Sequence, residues 1–161
     1  MIVDKILQSV NPKSWLCLKR VVRFGDIDAA GVIHFHHLFR WCHESWEESM
    51  QIYGVNLNEI FPNYKHSQDK DSIALPIIHC EADYLNPITV GDELDVILLP
   101  QKLDVGTFQI KTRFRHLDKD IAIGSIVHVA IMANNRNRCN LPRNIQRWLE
   151  SSSLGSVIET L

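Results

Sequence analysis

The sequence has 161 residues, of which 45% are hydrophobic and 22% are charged. This length and composition predict a single globular domain over residues 1–161. The 17 basic and 19 acidic residues leave a net charge of −2, which gives no indication of a nucleic-acid or membrane partner.

The cysteines and the first residues bear on where the protein resides. Four cysteines stand far apart at positions 17, 42, 80 and 139, and no pair has the Cys-x-x-Cys spacing of a zinc or redox site. We therefore expect a reduced, cytoplasmic protein. Met1–Val10 mixes charged and apolar residues, unlike a signal peptide, and no apolar run approaches the roughly 20 residues of a membrane helix.

The first third of the chain predicts one strand and one long helix. Trp15–Phe24 has the residues of a strand, which Gly25 and Asp26 end. A helix is expected from Phe35 to Tyr53, because one set of apolar residues recurs at helical spacing: Phe35, Leu38, Phe39, Cys42, Trp46, Met50 and Tyr53. Gly54 supplies the left-handed residue that commonly ends a helix.

The rest of the chain predicts strands, and then a short helix. Pro62–Ser72 is polar and is expected to be a loop. Thr107–Arg115 alternates between apolar and polar residues, as half-buried antiparallel strands do. The other expected strands are Ile73–Leu85, Leu94–Leu99 and Ile121–Ala133. A short helix is expected from Pro142 to Glu150, with a loose tail from Ser151. The order predicts an α+β domain in which a curved, mostly antiparallel five-stranded sheet wraps one helix.

The segment Arg23–Phe35 carries the residues best suited to chemistry. Asp26 and Asp28 lie there, followed by small residues and the start of the long helix. The first N–H groups of a helix have no intrahelical acceptor, so they can hold an anion or a polarised carbonyl. A carboxylate beside such donors suits acyl transfer. The alternative from the residues alone is that the aspartates and Gly31 only form a turn.

The pattern Phe-Gly-Asp-x-Asp-x-Ala-Gly before an aromatic-rich helix resembles the 4-hydroxybenzoyl-CoA thioesterase family, whose members have the hotdog fold. The order of elements agrees over about residues 14–133. The resemblance implies that Asp28 is catalytic, that Asp26 holds the loop, and that the amide near Phe35 polarises the thioester carbonyl. Ile27 departs from the pattern, since many relatives have threonine there. The resemblance also implies a homodimer or homotetramer with sites at the subunit interface, and no metal or redox cofactor.

Three shorter motifs resemble the cyanobacterial and plastid branch of this family. They are Cys42-His43-Glu44, Ala74 to His79, and Gly91-Asp92-Glu93-Leu94. That branch hydrolyses 1,4-dihydroxy-2-naphthoyl-CoA in phylloquinone (vitamin K1) biosynthesis. Two alternatives stay open: a thioesterase for aliphatic acyl groups on CoA or acyl-carrier protein, and a non-catalytic acyl-CoA-binding protein.

Other polar residues are candidates for substrate contacts. His34, His43 and His79 could meet the acyl group, and the basic side chains of Lys111, Arg113 and Arg115 could meet the phosphates of CoA. Another hotdog branch has its catalytic glutamate on the long helix, which makes Glu44 and Glu48 rivals of Asp28. The histidines around position 34 do not have the spacing of a metal site.

Overall fold

The computed structural model describes residues 11–61 and 71–158, with side chains to residue 153. The predicted loop Pro62–Ser72 therefore lies almost entirely outside the described residues. The helices are α1 (Lys13–Leu16), α2 (Phe35–Tyr53), α3 (Leu57–Ile60) and α4 (Arg143–Ile158). The strands are β1 (Cys17–Val21), β2 (Ile73–Ala74), β3 (Ile77–Tyr84), β4 (Glu93–Lys102), β5 (Thr107–His116), β6 (Lys119–Val129) and β7 (Ile131–Met132).

Five strands form one antiparallel sheet in the order β1-β4-β5-β6-β3, and β2 pairs with β7 in a second, two-stranded sheet. The helix α2 packs on one face of the larger sheet, with its 19 residues ending at Gly54 in the left-handed conformation. The α+β class, the five-stranded antiparallel sheet and the bounds of the long helix are confirmed.

The helix α2 reaches the sheet most closely at β6. A Cβ added to Gly124 would lie 2.4 Å from the Sγ of Cys42, so only glycine allows this approach. Leu38, Cys42, Trp46 and Met50 of the predicted stripe are buried. Phe35 was expected in the same stripe, but 67% of it is exposed because it lies at the first turn, beyond the cover of the sheet.

Several predicted bounds were wrong. The first strand is shorter than Trp15–Phe24, because residues 13–16 form α1 and residues 24–26 form a 3-10 turn. The strand expected over Ile73–Leu85 is divided at Leu75-Pro76, since proline cannot donate to the ladder. The last strand is likewise divided at Ala130.

The C-terminal helix is longer than expected, and no loose tail begins at Ser151. The helix α4 continues to Ile158. It is held by hydrogen bonds from aromatic side chains, since the Trp15 indole donates to Ser152 Oγ at 3.1 Å and the Tyr53 hydroxyl lies 2.8 Å from Ser151 Oγ. Trp148 is fully buried and donates to Ser49 Oγ at 3.1 Å. These contacts join α4 to α1 and to the C-terminal half of α2.

Candidate active site

The loop between β1 and α2 folds back on itself around Asp28. The Asp28 N–H donates to the Val32 carbonyl at 2.8 Å, and the Gly31 N–H donates to the Asp28 carbonyl at 3.1 Å. Gly31 has a φ of +80°, which only glycine adopts without strain. The Ile33 N–H donates to the Ile88 carbonyl at 3.0 Å, which ties the loop to the chain after β3. Asp28 is thus held at a fixed place by backbone bonds.

Asp26 makes the contacts of a loop anchor. Its Oδ2 accepts the Arg23 N–H at 2.8 Å, and its carbonyl accepts the His34 N–H at 2.9 Å. Its Oδ1 also lies 3.8 Å from His37 Nδ1. These bonds span the loop from its beginning to the start of α2, as expected for a structural aspartate.

Asp28 lines a cavity of about 430 Å³. Its Oδ1 accepts the Ala30 N–H at 2.8 Å, and its Oδ2 accepts no hydrogen bond from the described residues. The other lining residues are mostly apolar: Val32, Ile33, Phe35, Tyr84, Leu85, Asn86, Pro87 and Ile88. A largely apolar cavity of this size with one carboxylate is typical of a small-molecule site.

The helix α2 begins beside this cavity with unused donors. Its N-cap residue His34 provides no side-chain cap. Within the described part of the chain, the N–H groups of Phe35 and His36 donate to no protein acceptor. The helix dipole makes this end favourable for negative charge. Asp28 and Phe35, the first residue of α2, therefore line the same cavity, and the Phe35 N–H has no protein acceptor among the described residues.

The predicted residue His34 lies at the same end of α2. Its Nδ1 is 2.6 Å from the Nδ1 of His36, so one ring donates to the other. Desolvation, and then the neighbouring His37 and His34, lower the pKa of His36 below its usual value. Asp28 and Phe35 line one cavity, whereas His34 lies at the same end of α2 without lining it, so its contact with substrate stays a prediction.

His43 lies farther along α2, in a cluster of aromatic rings. Its Nδ1 is 2.7 Å from Glu47 Oε1, and its ring centroid lies 5.3 Å from that of Trp46 and 5.9 Å from that of His128. It lies outside the Asp28 cavity, so a contact with the acyl group stays a prediction for this residue.

His79 and the predicted CoA-binding residues lie on the opposite face of the sheet. The face of β6 that contains Gly124 meets α2. His79 is paired with Val127, Lys111 with Ser125, and Arg113 with Ile123, which all belong to the other face. Arg113 and Arg115 lie 2.7 Å and 3.4 Å from the carboxylate of Asp120. Contacts of His79, Lys111, Arg113 and Arg115 with substrate remain predictions.

The rival glutamates lie on the outer side of α2, away from the Asp28 cavity. Glu44 lies 2.6 Å from Arg40 Nε, and Glu48 lies 2.9 Å from Arg20 Nη1. Both line a polar cleft of about 600 Å³ that Asp28 does not line. Both glutamates are paired with arginines, as is usual for charged residues on the solvent-facing side of a helix.

Two residues that contact α2 are not among the predicted site residues. Tyr84, at the end of β3, lines the cavity and donates its hydroxyl to the Phe35 carbonyl at 2.6 Å. His128 is buried between α2 and the sheet, where desolvation lowers its pKa to about 4. The burial of His128 could have been predicted, because it continues the alternation Ala122, Gly124 and Ile126 on the face of β6 that meets α2.

Among the described residues, no cluster of three or more side chains could hold a metal ion.

Comparison with known proteins identifies the family. Residues 22–149 match the model of the thioesterase-like superfamily. The chain belongs to this superfamily. It is 53% identical over 148 residues to a 1,4-dihydroxy-2-naphthoyl-CoA hydrolase of Prochlorococcus marinus strain MIT 9313. The aligned region covers 92% of this chain and 98% of that relative. It is 50% identical over 143 residues to the hydrolase of the same name in Synechococcus sp. strain CC9311, with 89% and 94% covered.

Solved structures agree with the fold. A crystal structure of a Prochlorococcus marinus protein, 54% identical, superposes with a TM-score of 0.84 and covers 89% of this chain and 99% of that one. The 1,4-dihydroxy-2-naphthoyl-CoA thioesterase of Synechocystis, 25% identical, has a TM-score of 0.74 with 83% and 94% covered. The hotdog fold is thus confirmed. No helix in the described residues is long and apolar enough to cross a membrane.

Proposed function

We propose that this protein hydrolyses 1,4-dihydroxy-2-naphthoyl-CoA to 1,4-dihydroxy-2-naphthoate and CoA, in phylloquinone biosynthesis. The observation that carries the proposal is the cavity that Asp28 lines together with Phe35, the first residue of α2. The family supports a thioester hydrolase, and relatives with this name are about half identical over nearly their whole length.

The chemistry begins at Asp28 Oδ2, which accepts no hydrogen bond from the described residues. The carboxylate attacks the thioester carbonyl and expels the CoA thiolate, and water then hydrolyses the acyl anhydride. Alternatively, it takes a proton from a water molecule that attacks the same carbon, and the C–S bond then breaks to release the free acid and the CoA thiolate. In both routes, the carbonyl oxygen becomes negative and is stabilised by the Phe35 N–H. Neither route needs a metal or redox cofactor.

The cavity walls favour a flat acyl group. Phe35 and Tyr84 contribute aromatic rings, Pro87 contributes a rigid ring, and Asn86 adds a polar group. An aliphatic acyl group on CoA or acyl-carrier protein is the nearest alternative, and a binding protein without turnover is the second. The two enzymatic alternatives share the same carboxylate, so substrate preference must separate them.

The test is thiol release from a panel of acyl-CoAs by wild type and Asp28→Asn. We expect the naphthoyl substrate to be preferred, and kcat to fall about a hundredfold or more in the variant. The matched controls are Glu44→Gln and Glu48→Gln, which should retain activity. Activity that survives Asp28→Asn but is lost in either control would move the carboxylate role to α2. Broad aliphatic turnover would discard the naphthoyl assignment, and absence of turnover would favour the binding protein.

The assembly forms a further part of the proposal: at least a dimer paired along β3. Seven of the eight residues of this edge strand are exposed. Several apolar side chains on and beside it are about half exposed, namely Ile77, Ile78, Tyr84 and Leu85. An uncovered edge with apolar neighbours is an association site unless another chain covers it.

Light scattering tests the dimer. We expect a mass of at least twice the chain mass of 18.6 kDa. Cys80→Lys places a charge in the middle of β3 and should lower the mass, whereas Val21→Lys, at an exposed valine of the opposite edge strand β1, should not. A monomeric wild type would contradict the proposal.

We also propose a reduced, cytoplasmic setting, which the lack of any disulfide among the described residues suits.

A further inference from the structure

Tyr84 connects the sheet to the catalytic end of α2. Its hydroxyl donates to the carbonyl of Phe35 at 2.6 Å, and its ring lines the same cavity as Asp28. Burial raises the pKa of this phenol, which keeps it protonated and able to donate. A residue from the edge strand thus contacts the backbone of the helix at its first residue.

The end of β3 is itself firmly placed. The N–H groups of Leu85 and Asn86 both donate to the Ile121 carbonyl, at 2.9 Å and 3.1 Å. The Asn86 side chain donates to the Asp120 carbonyl at 3.1 Å. Tyr84 therefore transmits a position fixed by β6 to the helix.

Outside the helix's own hydrogen-bond ladder, few bonds from the described residues hold the start of α2. His34 gives no side-chain cap, and the backbone bonds outside the ladder at this point run from the His34 N–H to the Asp26 carbonyl and from the His37 N–H to the His34 carbonyl. The phenol supplies a bond from a different direction, since it comes from the sheet and not from the preceding loop.

The bonded carbonyl belongs to the same peptide unit as the N–H of His36. A peptide unit is planar, so fixing its C=O also fixes the direction of its N–H. A hydrogen bond to the oxygen also polarises the unit and strengthens its N–H as a donor. The His36 N–H donates to no acceptor among the described residues, like that of Phe35.

We propose that Tyr84 is a positioning residue, which orients and polarises the Phe35–His36 peptide so that the His36 N–H joins the Phe35 N–H in binding the oxyanion of the thioester. This inference rests on the proposed thioesterase function and adds to it a second donor and the residue that directs it. The effect belongs to the transition state, because the oxygen becomes negative only there.

Tyr84→Phe removes one oxygen atom and keeps the ring. We expect kcat to fall about tenfold, the equivalent of one lost hydrogen bond, with KM changed less than about twofold. The matched control is Tyr53→Phe, which removes a hydroxyl bonded to the C-terminal helix at the far end of α2. That variant should keep wild-type kcat.

The kinetic outcomes are distinct. Unchanged kcat in Tyr84→Phe, an equal fall in Tyr53→Phe, or a rise in KM alone would each overturn the positioning role. The assay uses whichever acyl-CoA the wild type hydrolyses best, so a wrong acyl group in the proposed function does not affect it. If the wild type hydrolyses no acyl-CoA, the proposed function and this inference both fail.

A spectroscopic readout separates positioning from a general structural role. In Asp28→Asn with bound thioester, infrared difference spectra report the carbonyl stretch, which shifts to lower frequency when donors polarise the group. We expect a smaller shift when Tyr84→Phe is added, and no change when Tyr53→Phe is added. Equal shifts in all three proteins would overturn the inference.

Discussion

Replacing Gly124 by alanine would test the close contact on which the position of α2 depends. The added Cβ would lie 2.4 Å from Cys42 Sγ, and the next atom of another residue is 4.0 Å away, on the ring of Phe114. Cys42 is only 2% exposed and lies in the middle of α2, so its sulfur has little room to move. The helix or the strand must therefore shift.

The expected loss of stability is about 1–2 kcal/mol. Overpacking of a buried contact costs about 1–3 kcal/mol. Replacing glycine inside a strand returns roughly 0.5–1 kcal/mol through the lower entropy of the unfolded chain. The assay is urea unfolding at one fixed protein concentration, because association contributes to apparent stability.

Two further variants decide whether the sulfur is the cause. Gly25→Ala is the control, since no atom lies within 4 Å of its added Cβ, and its stability should stay within about 0.5 kcal/mol of wild type. Cys42→Ala removes the sulfur that Gly124→Ala would strike, so the double variant should regain at least about 1 kcal/mol relative to the sum of the single losses. Wild-type stability in Gly124→Ala, or simple additivity with Cys42→Ala, would refute the reasoning.

Two other predictions concern the buried core. His128 has its pKa lowered from 6.5 to about 4, mainly by desolvation. As pH falls from 6.5 to 4, the unfolded chain binds a proton that the folded chain does not, so the free energy of unfolding should decrease by up to about 3 kcal/mol. Urea unfolding between pH 7 and pH 4 should show that the free energy of unfolding of His128→Gln depends less on pH than that of wild type. If the two proteins lose stability equally over this range, the prediction is wrong. Trp148 is fully buried, so Trp148→Ala should cost about 3–5 kcal/mol, while the exposed neighbour Arg147→Ala should cost less than about 0.5 kcal/mol. Similar values for the two would contradict the packing of α4.

Local periodicity determined how much of the fold could be predicted. The helix α2 was found with its observed bounds, because its apolar residues recur at helical spacing and Gly54 ends it. Periodicity does not predict the breaks at Pro76 and Ala130, because a long apolar run is typical of one continuous strand. The proline was an available signal, whereas the pairing of β2 with β7 joins residues far apart in sequence.

The candidate site was predictable where it is local in sequence. Asp28 and Phe35 are seven residues apart, and the turn at Gly31 brings both to one cavity. The direction of His79 was not predictable, because the register shifts between Ile77 and His79, and a shift of one residue reverses the face. Tyr84 is 49 residues from Phe35, and no local pattern indicates their contact.

The end of β3 belongs both to the wall of the Asp28 cavity and to the exposed edge of the sheet. Tyr84 and Leu85 line the cavity, and both are about half exposed beside the strand that we propose as the subunit contact. A second chain paired along β3 would therefore cover the open side of the cavity and hold Tyr84 against α2. It follows that substitutions along β3 should affect catalysis as well as assembly. Substitutions at Lys111, on the outer face of a central strand, should leave the dimer intact.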